Sequence, residues 1–161
     1  QRHVQSTAPS PRASRTRHDT QKQASPGMKP KYLLDSDVFS LMVKGRDLSI
    51  QDRLAGLKAG EAILSVVTCG EFYYGVAHAP LSTMRDQRAR RLINFFGVMP
   101  LDQDASLAYG QIRADLRARG TPIGPNDLWQ AALAQAKGLT LVSRNGREFS
   151  RVEGLKVEDW S

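Results

Sequence analysis

A single cysteine, Cys69, leaves the 161-residue chain no internal disulfide to make. Its three histidines form no Cys/His cluster at zinc-ligand spacing, so a structural zinc module is excluded. No run approaches the ~18 apolar residues that a membrane-spanning helix needs, and the N-terminal stretch lacks the apolar segment of a secretory signal. The expectation is a cytoplasmic chain with no membrane partner. At this length there is room for one well-cored domain and not for two. Acidic residues are the minority, 16 Asp and Glu against 23 Lys and Arg, and the resulting net charge of +7 invites a polyanionic partner. That surplus is unevenly placed: residues 1–27 hold five Lys or Arg and one Asp, a net of +4, which leaves only +3 on the remainder. Charge by itself therefore does not decide for nucleic acid.

Residues 1–27 are rich in Ser, Pro, Gln and Arg, with almost no large apolar side chain to offset the entropy of ordering, and read as a disordered basic tail. Met28 stands directly before the first strand pattern, which suggests an appended or upstream-translated leader and sets the domain at 28–161. From Lys31 onward, short apolar runs alternate with longer amphipathic ones. Strands are expected at Tyr32–Leu34, Ala62–Val67, Val98–Leu101 and Leu139–Val142, with a possible edge strand at Leu155–Val157. Helices are expected at Val38–Lys44, Ser49–Lys58, after a Thr68 cap, at Ser82–Phe96, at Ala105–Arg119 stopped by Gly120, and from Asn126 or Asp127 to Lys137, closed by Gly138. Strands separated by helices imply right-handed crossovers. The fold class is α/β, a three-layer α/β/α sandwich around a mostly parallel sheet.

Ligands of such sheets sit beyond the carboxyl ends of the strands. Asp35 closes the first strand, Glu71 follows the second within a helical turn, and Asp127 opens the helix before the fourth. Each has an ordinary structural role available: Asp35 or Asp127 as a helix cap, Glu71 as a favourable charge on a helix dipole. Three carboxylates at one rim nevertheless repel one another unless a hard divalent cation neutralises them. Mg²⁺, with Mn²⁺ able to substitute, would orient a water and offset phosphate charge. The chemistry this points to is phosphodiester hydrolysis.

At these residues the chain resembles the PIN-domain ribonucleases, and within them the VapC-type toxins of type II toxin-antitoxin modules. The resemblance is carried by YLLDSDVFS at 32–40, SVVTCGEFYYG at 65–75, IRADLRARGTPIGPNDLWQAALA at 112–134 and LTLVSRNGREFSRVEGLKVEDW at 139–160. It implies Asp35, Glu71 and Asp127 as metal ligands and Ser36 as the hydroxyl that serves a metal-held water. Two positions depart from the family. Asp37 stands where many relatives have Asn, and Asn145 where some have a fourth Asp, which implies fewer metals bound at once and leaves Glu148 as a candidate compensating acid. The resemblance further implies RNA cleavage that inhibits translation, the anticodon loop of initiator tRNA being the target in some relatives. A homodimer silenced by a cognate antitoxin protein is implied as well.

Arg113, Arg117 and Arg119, with the cluster Arg85, Arg88, Arg90 and Arg91, are candidates for RNA contact, weighed against an ordinary solvated helix face. Phe72, Tyr73 and Tyr74 read as core and partner surface, Trp129 as core, Cys69 as a small buried apolar group, and His78 has no partners that would make it a ligand. Two other classes compete. A non-catalytic PIN-like module that binds RNA or protein would have an incomplete acid set, whereas three acids are present. A phospho-accepting receiver domain would need a lysine at a later strand end, and 139–143 holds none.

Overall fold

The computed structural model describes residues 28–161. The expectations for the tail lie outside the described residues. Five short strands, β1 (Tyr32–Leu34), β2 (Ala62–Ser65), β3 (Val98–Met99), β4 (Thr140–Val142) and β5 (Val157–Glu158), form one sheet in the order β3-β2-β1-β4-β5. All four pairings are parallel. The helices are α1 (Ser36–Lys44), α2 (Leu48–Gly56), α3 (Val66–His78), α4 (Thr83–Phe96), α5 (Gln103–Ala118), α6 (Pro125–Lys137) and the single turn α7 (Gly146–Phe149). Strand order grows outward from β1 to β3, then jumps back across β1 to β4, so the topological switch point lies between β1 and β4.

The strands deliver alternate side chains to opposite faces, and the core divides accordingly. Leu34, Leu64 and Val142 join Val38, Phe39, Met42, Leu92, Phe96 and Trp160 on one face. Leu33 and Leu141 join Ile112, Leu116, Leu128, Leu133 and Phe149 on the other. With Leu33, Leu34, Leu64 and Leu141 all fully buried, each contributes about 1.5–3 kcal/mol relative to exposure. Strands buried on both faces need helices over each, and the three-layer expectation holds.

Several boundaries differ from the sequence reading for identifiable reasons. Val66 and Val67, expected at the end of a strand, form the first turn of α3. The cap is Ser65 rather than Thr68: its Oγ accepts from the Thr68 N–H at 3.0 Å, and the Thr68 hydroxyl instead donates to the Leu34 carbonyl at 3.0 Å. Helix α6 begins at Pro125, whose missing N–H costs nothing at a first helical position. α7, a single turn after β4, has no periodicity to announce it. Gly120 and Gly138 take φ of 68° and 65°, the left-handed geometry expected of residues that end helices.

Candidate functional site

Asp35 is fixed at the carboxyl end of β1 by the sheet itself. Its backbone N–H donates to the Val142 carbonyl at 3.0 Å, continuing the ladder to β4. Its Oδ2 accepts from Ser143 Oγ at 2.7 Å and its Oδ1 from the Ser36 N–H at 2.7 Å, so the residue also caps α1. Only 6% of it is exposed. Burial pushes its carboxyl pKa up, the charge of Asp37 adds to this, and hydrogen bonds from Ser143, the Ser36 backbone and Gln130 oppose it.

Glu71 lies in the second turn of α3, one turn later than the sequence reading placed it, because the helix begins at Val66. One carboxylate oxygen accepts from the Ser36 hydroxyl and the other from Asn126 Nδ2 at 2.7 Å. Asp127 occupies the third position of α6, whose cap is Gly124 without a side-chain bond, so its ordinary role as a cap is excluded. Its Oδ2 accepts from Asn145 Nδ2 at 3.2 Å. Burial, the close Glu148 carboxyl and the charges of Asp35, Glu148 and Glu71 push the Asp127 carboxyl up to about 7.

These groups share one cleft of about 380 Å³, lined by Asp35, Ser36, Asp37, Glu71, Asp127, Arg144 and Asn145. It opens at the switch point, beyond the carboxyl ends of β1 and β4. All five residues singled out from the sequence therefore face one space, and Glu148 stands against Asp127. Asn126, Ser143 and Arg144 were not anticipated. A serine closing an apolar strand, as Ser143 does, was the one available signal.

Beneath the cleft lies a buried polar knot. The Ser65 hydroxyl donates to Gln130 Oε1 at 2.8 Å, and Gln130 Nε2 donates to Thr68 Oγ1 at 2.5 Å. Thr68 in turn holds the Leu34 carbonyl. Ser65, Thr68 and Gln130 are all essentially inaccessible. Leu34 directly precedes Asp35, Thr68 is one helical turn before Glu71, and Gln130 is one turn after Asp127. The knot thus sets the register of the three acid-bearing segments against one another.

Among the described residues, no three Cys, His, Asp or Glu side chains are gathered at direct metal-holding distance. The acids face each other with Ser36, Asn126, Ser143 and Asn145 interposed as donors. A set of carboxylate and hydroxyl oxygens, with Arg144 the one cation lining the cleft among the described residues, fits a hard cation that keeps several of its own waters and takes only one or two carboxylates directly, the habit of Mg²⁺.

The arginines sort into distinct roles. Arg88 donates to the Met42 carbonyl at 2.8 Å and also bonds Gln51, closing the end of α1. Arg90 pairs with Asp86, and Arg119 with Asp115 and the Arg151 carbonyl. Arg113 and Arg117 make no ion pair among the described residues. Tyr73 and Tyr74 are exposed on α3, Phe72 packs against the core, and Cys69 is buried. Trp129, expected in the core, is only half-buried and stacks on Tyr109 with ring centroids 4.0 Å apart. No helix among the described residues is long and apolar enough to cross a membrane.

The PIN domain family model matches residues 32–155. A tRNA(fMet)-specific endonuclease VapC from Shigella flexneri is 34% identical over 131 residues, covering 81% of this chain and 98% of the relative. Ribonuclease VapC2 from Haemophilus influenzae (strain ATCC 51907 / DSM 11121 / KW20 / Rd) is 33% identical over 130 residues, covering 81% and 98%. Among solved structures, DNA-bound VapBC from Salmonella typhimurium superimposes with a TM-score of 0.70 at 32% identity over 82% of this chain and 99% of that one. VapBC2 from Rickettsia felis, bound to a promoter DNA fragment, gives a TM-score of 0.73 at 26% identity, covering 81% and 98%.

Proposed function

Since the chain belongs to the PIN-domain family and, within it, to the VapC ribonucleases, we propose that it is a metal-dependent endoribonuclease toxin that cuts RNA, with tRNA as the target class, and is held inactive by a cognate antitoxin. The observation that carries the reading is the convergence of Asp35, Glu71 and Asp127 on one cleft at the switch point of the sheet.

In this reading Asp35, Glu71 and Asp127 would hold Mg²⁺ or Mn²⁺, one or two of them directly and the rest through its waters, and the bound cation would supply Lewis acidity to a water and to the phosphate. Asp35 is oriented by Ser143 and the Ser36 N–H, whose hydrogen bonds oppose the rise that burial imposes on its carboxyl. Ser36 and Asn126 hold the Glu71 carboxylate, and Asn145 does the same for Asp127. With its pKa near neutrality, Asp127 carries a proton for much of the time at pH 7 in the metal-free protein, and must release it to serve as a charged ligand. Arg144 on the cleft wall supplies a cation for a substrate phosphate. The VapBC assemblies among the structural relatives support an antitoxin partner, for which exposed Tyr73 and Tyr74, beside Glu71 on α3, offer an apolar landing surface. A homodimer and a cytoplasmic location complete the reading.

The test is incubation of the purified protein with total RNA, with Mg²⁺ and with a chelator, followed by mapping of the cut ends. Discrete cuts that need the metal are expected. Cleavage that persists in chelator, or that survives in Asp35→Asn, would overturn the assignment.

A further inference from the structure

Besides the acidic cleft, a cavity of about 500 Å³ lies on the other side of the first turn of α6. Its walls include Tyr109, Arg113 and Arg117 of α5, Ile123 of the connecting loop, and Pro125 and Leu128 of α6. Asp127, which lines the acidic cleft, immediately precedes Leu128, which lines this cavity, so neighbouring residues of one helical turn face the two spaces. The geometry points to this cavity as a subsite for one unstacked nucleobase of a single-stranded RNA substrate, an inference that rests on the RNA-cleaving reading above.

Three observations favour a base over other occupants. The cavity wall holds an aromatic ring: Tyr109 stacks on Trp129 at 4.0 Å and 24° and carries the Arg113 guanidinium over its ring, so a base that displaces this exposed guanidinium would extend a stack that already exists. Stacking of this kind is sequence-tolerant, because every base has a π face. The rim carries two cations of one sign. The Arg113 guanidinium lies 5.9 Å from the Tyr109 ring centroid and donates to its hydroxyl at 3.2 Å, and Arg117 stands one turn further along α5. Neither is consumed by a carboxylate among the described residues, in contrast to Arg90 and Arg119. A base in an apolar-aromatic slot and its flanking phosphates on two arginines is the complementarity that single-stranded nucleic acid presents. Finally, the cavity and the acids share α6, so a strand seated in one is delivered to the other.

Trp129 supplies the readout. The full chain in chelator, so that no cleavage occurs, is titrated at low salt with short single-stranded oligoribonucleotides of each base, and with a sugar-phosphate oligomer of the same length lacking bases. The inference expects base-bearing oligomers to quench the Trp129 emission and to bind at least about fivefold tighter than the abasic one. Trp129→Phe, which keeps an aromatic under Tyr109, is expected to lose the quench while Trp160 still emits. Arg113→Gln and Arg117→Gln, both exposed changes, are expected to weaken every oligomer and flatten the salt dependence. Tyr109→Leu is expected to abolish the advantage of bases over the abasic backbone. Equal binding and equal quenching by the abasic oligomer would overturn the inference, as would the absence of any quench, the outcome if a protein segment or a second copy fills the cavity. Because no cleavage is measured, base-selective quenching in a protein that fails to cut total RNA would leave the subsite standing and remove the nuclease reading; metal-dependent cuts without base selectivity would do the reverse.

Discussion

At the scale of single residues, the acids that would define the chemistry also work against the metal-free fold. Asp35→Asn, Glu71→Gln and Asp127→Asn are each expected to abolish RNA cleavage while circular dichroism stays native, since each removes charge that the cation needs and none removes core volume. Asp127 adds a pH signature. Its folded-state pKa of about 7 lies above the ordinary 3.8, so the folded protein binds more protons and metal-free stability falls as pH rises from about 4 through 7. Asp127→Asn should flatten that decline, with a gain on the order of 1 kcal/mol at pH 8 after screening of a half-exposed carboxyl. Chemical denaturation at several pH values checks it; an unchanged profile would refute it. Asn145→Asp should tighten Mn²⁺ binding in a calorimetric titration, because it replaces a neutral neighbour of Asp127 with a carboxylate. Gln130→Leu should cost about 1–3 kcal/mol by taking the acceptor from the buried Ser65 hydroxyl and the donor from Thr68 Oγ1. It should also weaken Mn²⁺ affinity, a change that simple loss of core packing would not produce.

Among the elements, α5 and α6 are clasped at one end by Lys137, in the last turn of α6, which reaches Asp102, the cap of α5, and Asp104. The Lys137 side chain donates to Asp102 and holds its pKa below the usual carboxylate range, with the Ala105 N–H helping. The clasp therefore stabilises above pH about 4 and is lost as pH falls through the lowered folded value. In Lys137→Ala the acid limb of the unfolding curve should move to higher pH, while a melt near pH 7 shifts only modestly; an unmoved limb would show that Asp102 is held by its cap bond alone. This end of the molecule was legible only in part. The α5 and α6 stops at Gly120 and Gly138 follow from local chemistry, as do the strands, whose apolar runs are bounded by polar residues. The handover from β2 to α3 was not legible, because Val66 and Val67 favour a strand by propensity and are overridden by the Ser65 cap and the tie from Thr68 to Leu34. Asp35 and Glu71 were readable from their place after strands and Asp127 from the start of the helix before β4, whereas Asn126, Ser143 and Gln130 gain their roles only through partners from 55 to 108 residues away.

For the whole molecule, the described fold is held by two apolar cores that begin after Met28. Deleting residues 1–27 should leave the unfolding transition and the metal-dependent cut sites unchanged. Removing a net charge of +4 should weaken low-salt RNA affinity and reduce its salt slope. A changed cut site on the same RNA would show that the tail takes part in recognition.

The strand order carries one consequence beyond geometry. Asp35 is seated by Val142 and Ser143, the latter 108 residues further along the chain, and β4 enters the sheet beside β1 only after everything between has been made. During translation, at about 5–20 residues per second, a nascent chain thus displays its first acid many seconds before the rest of the cleft exists. Under the proposed nuclease reading, the cleft therefore stays incomplete on the ribosome until β4 has emerged, and a protein that recognises the finished cleft has no complete surface to bind before then.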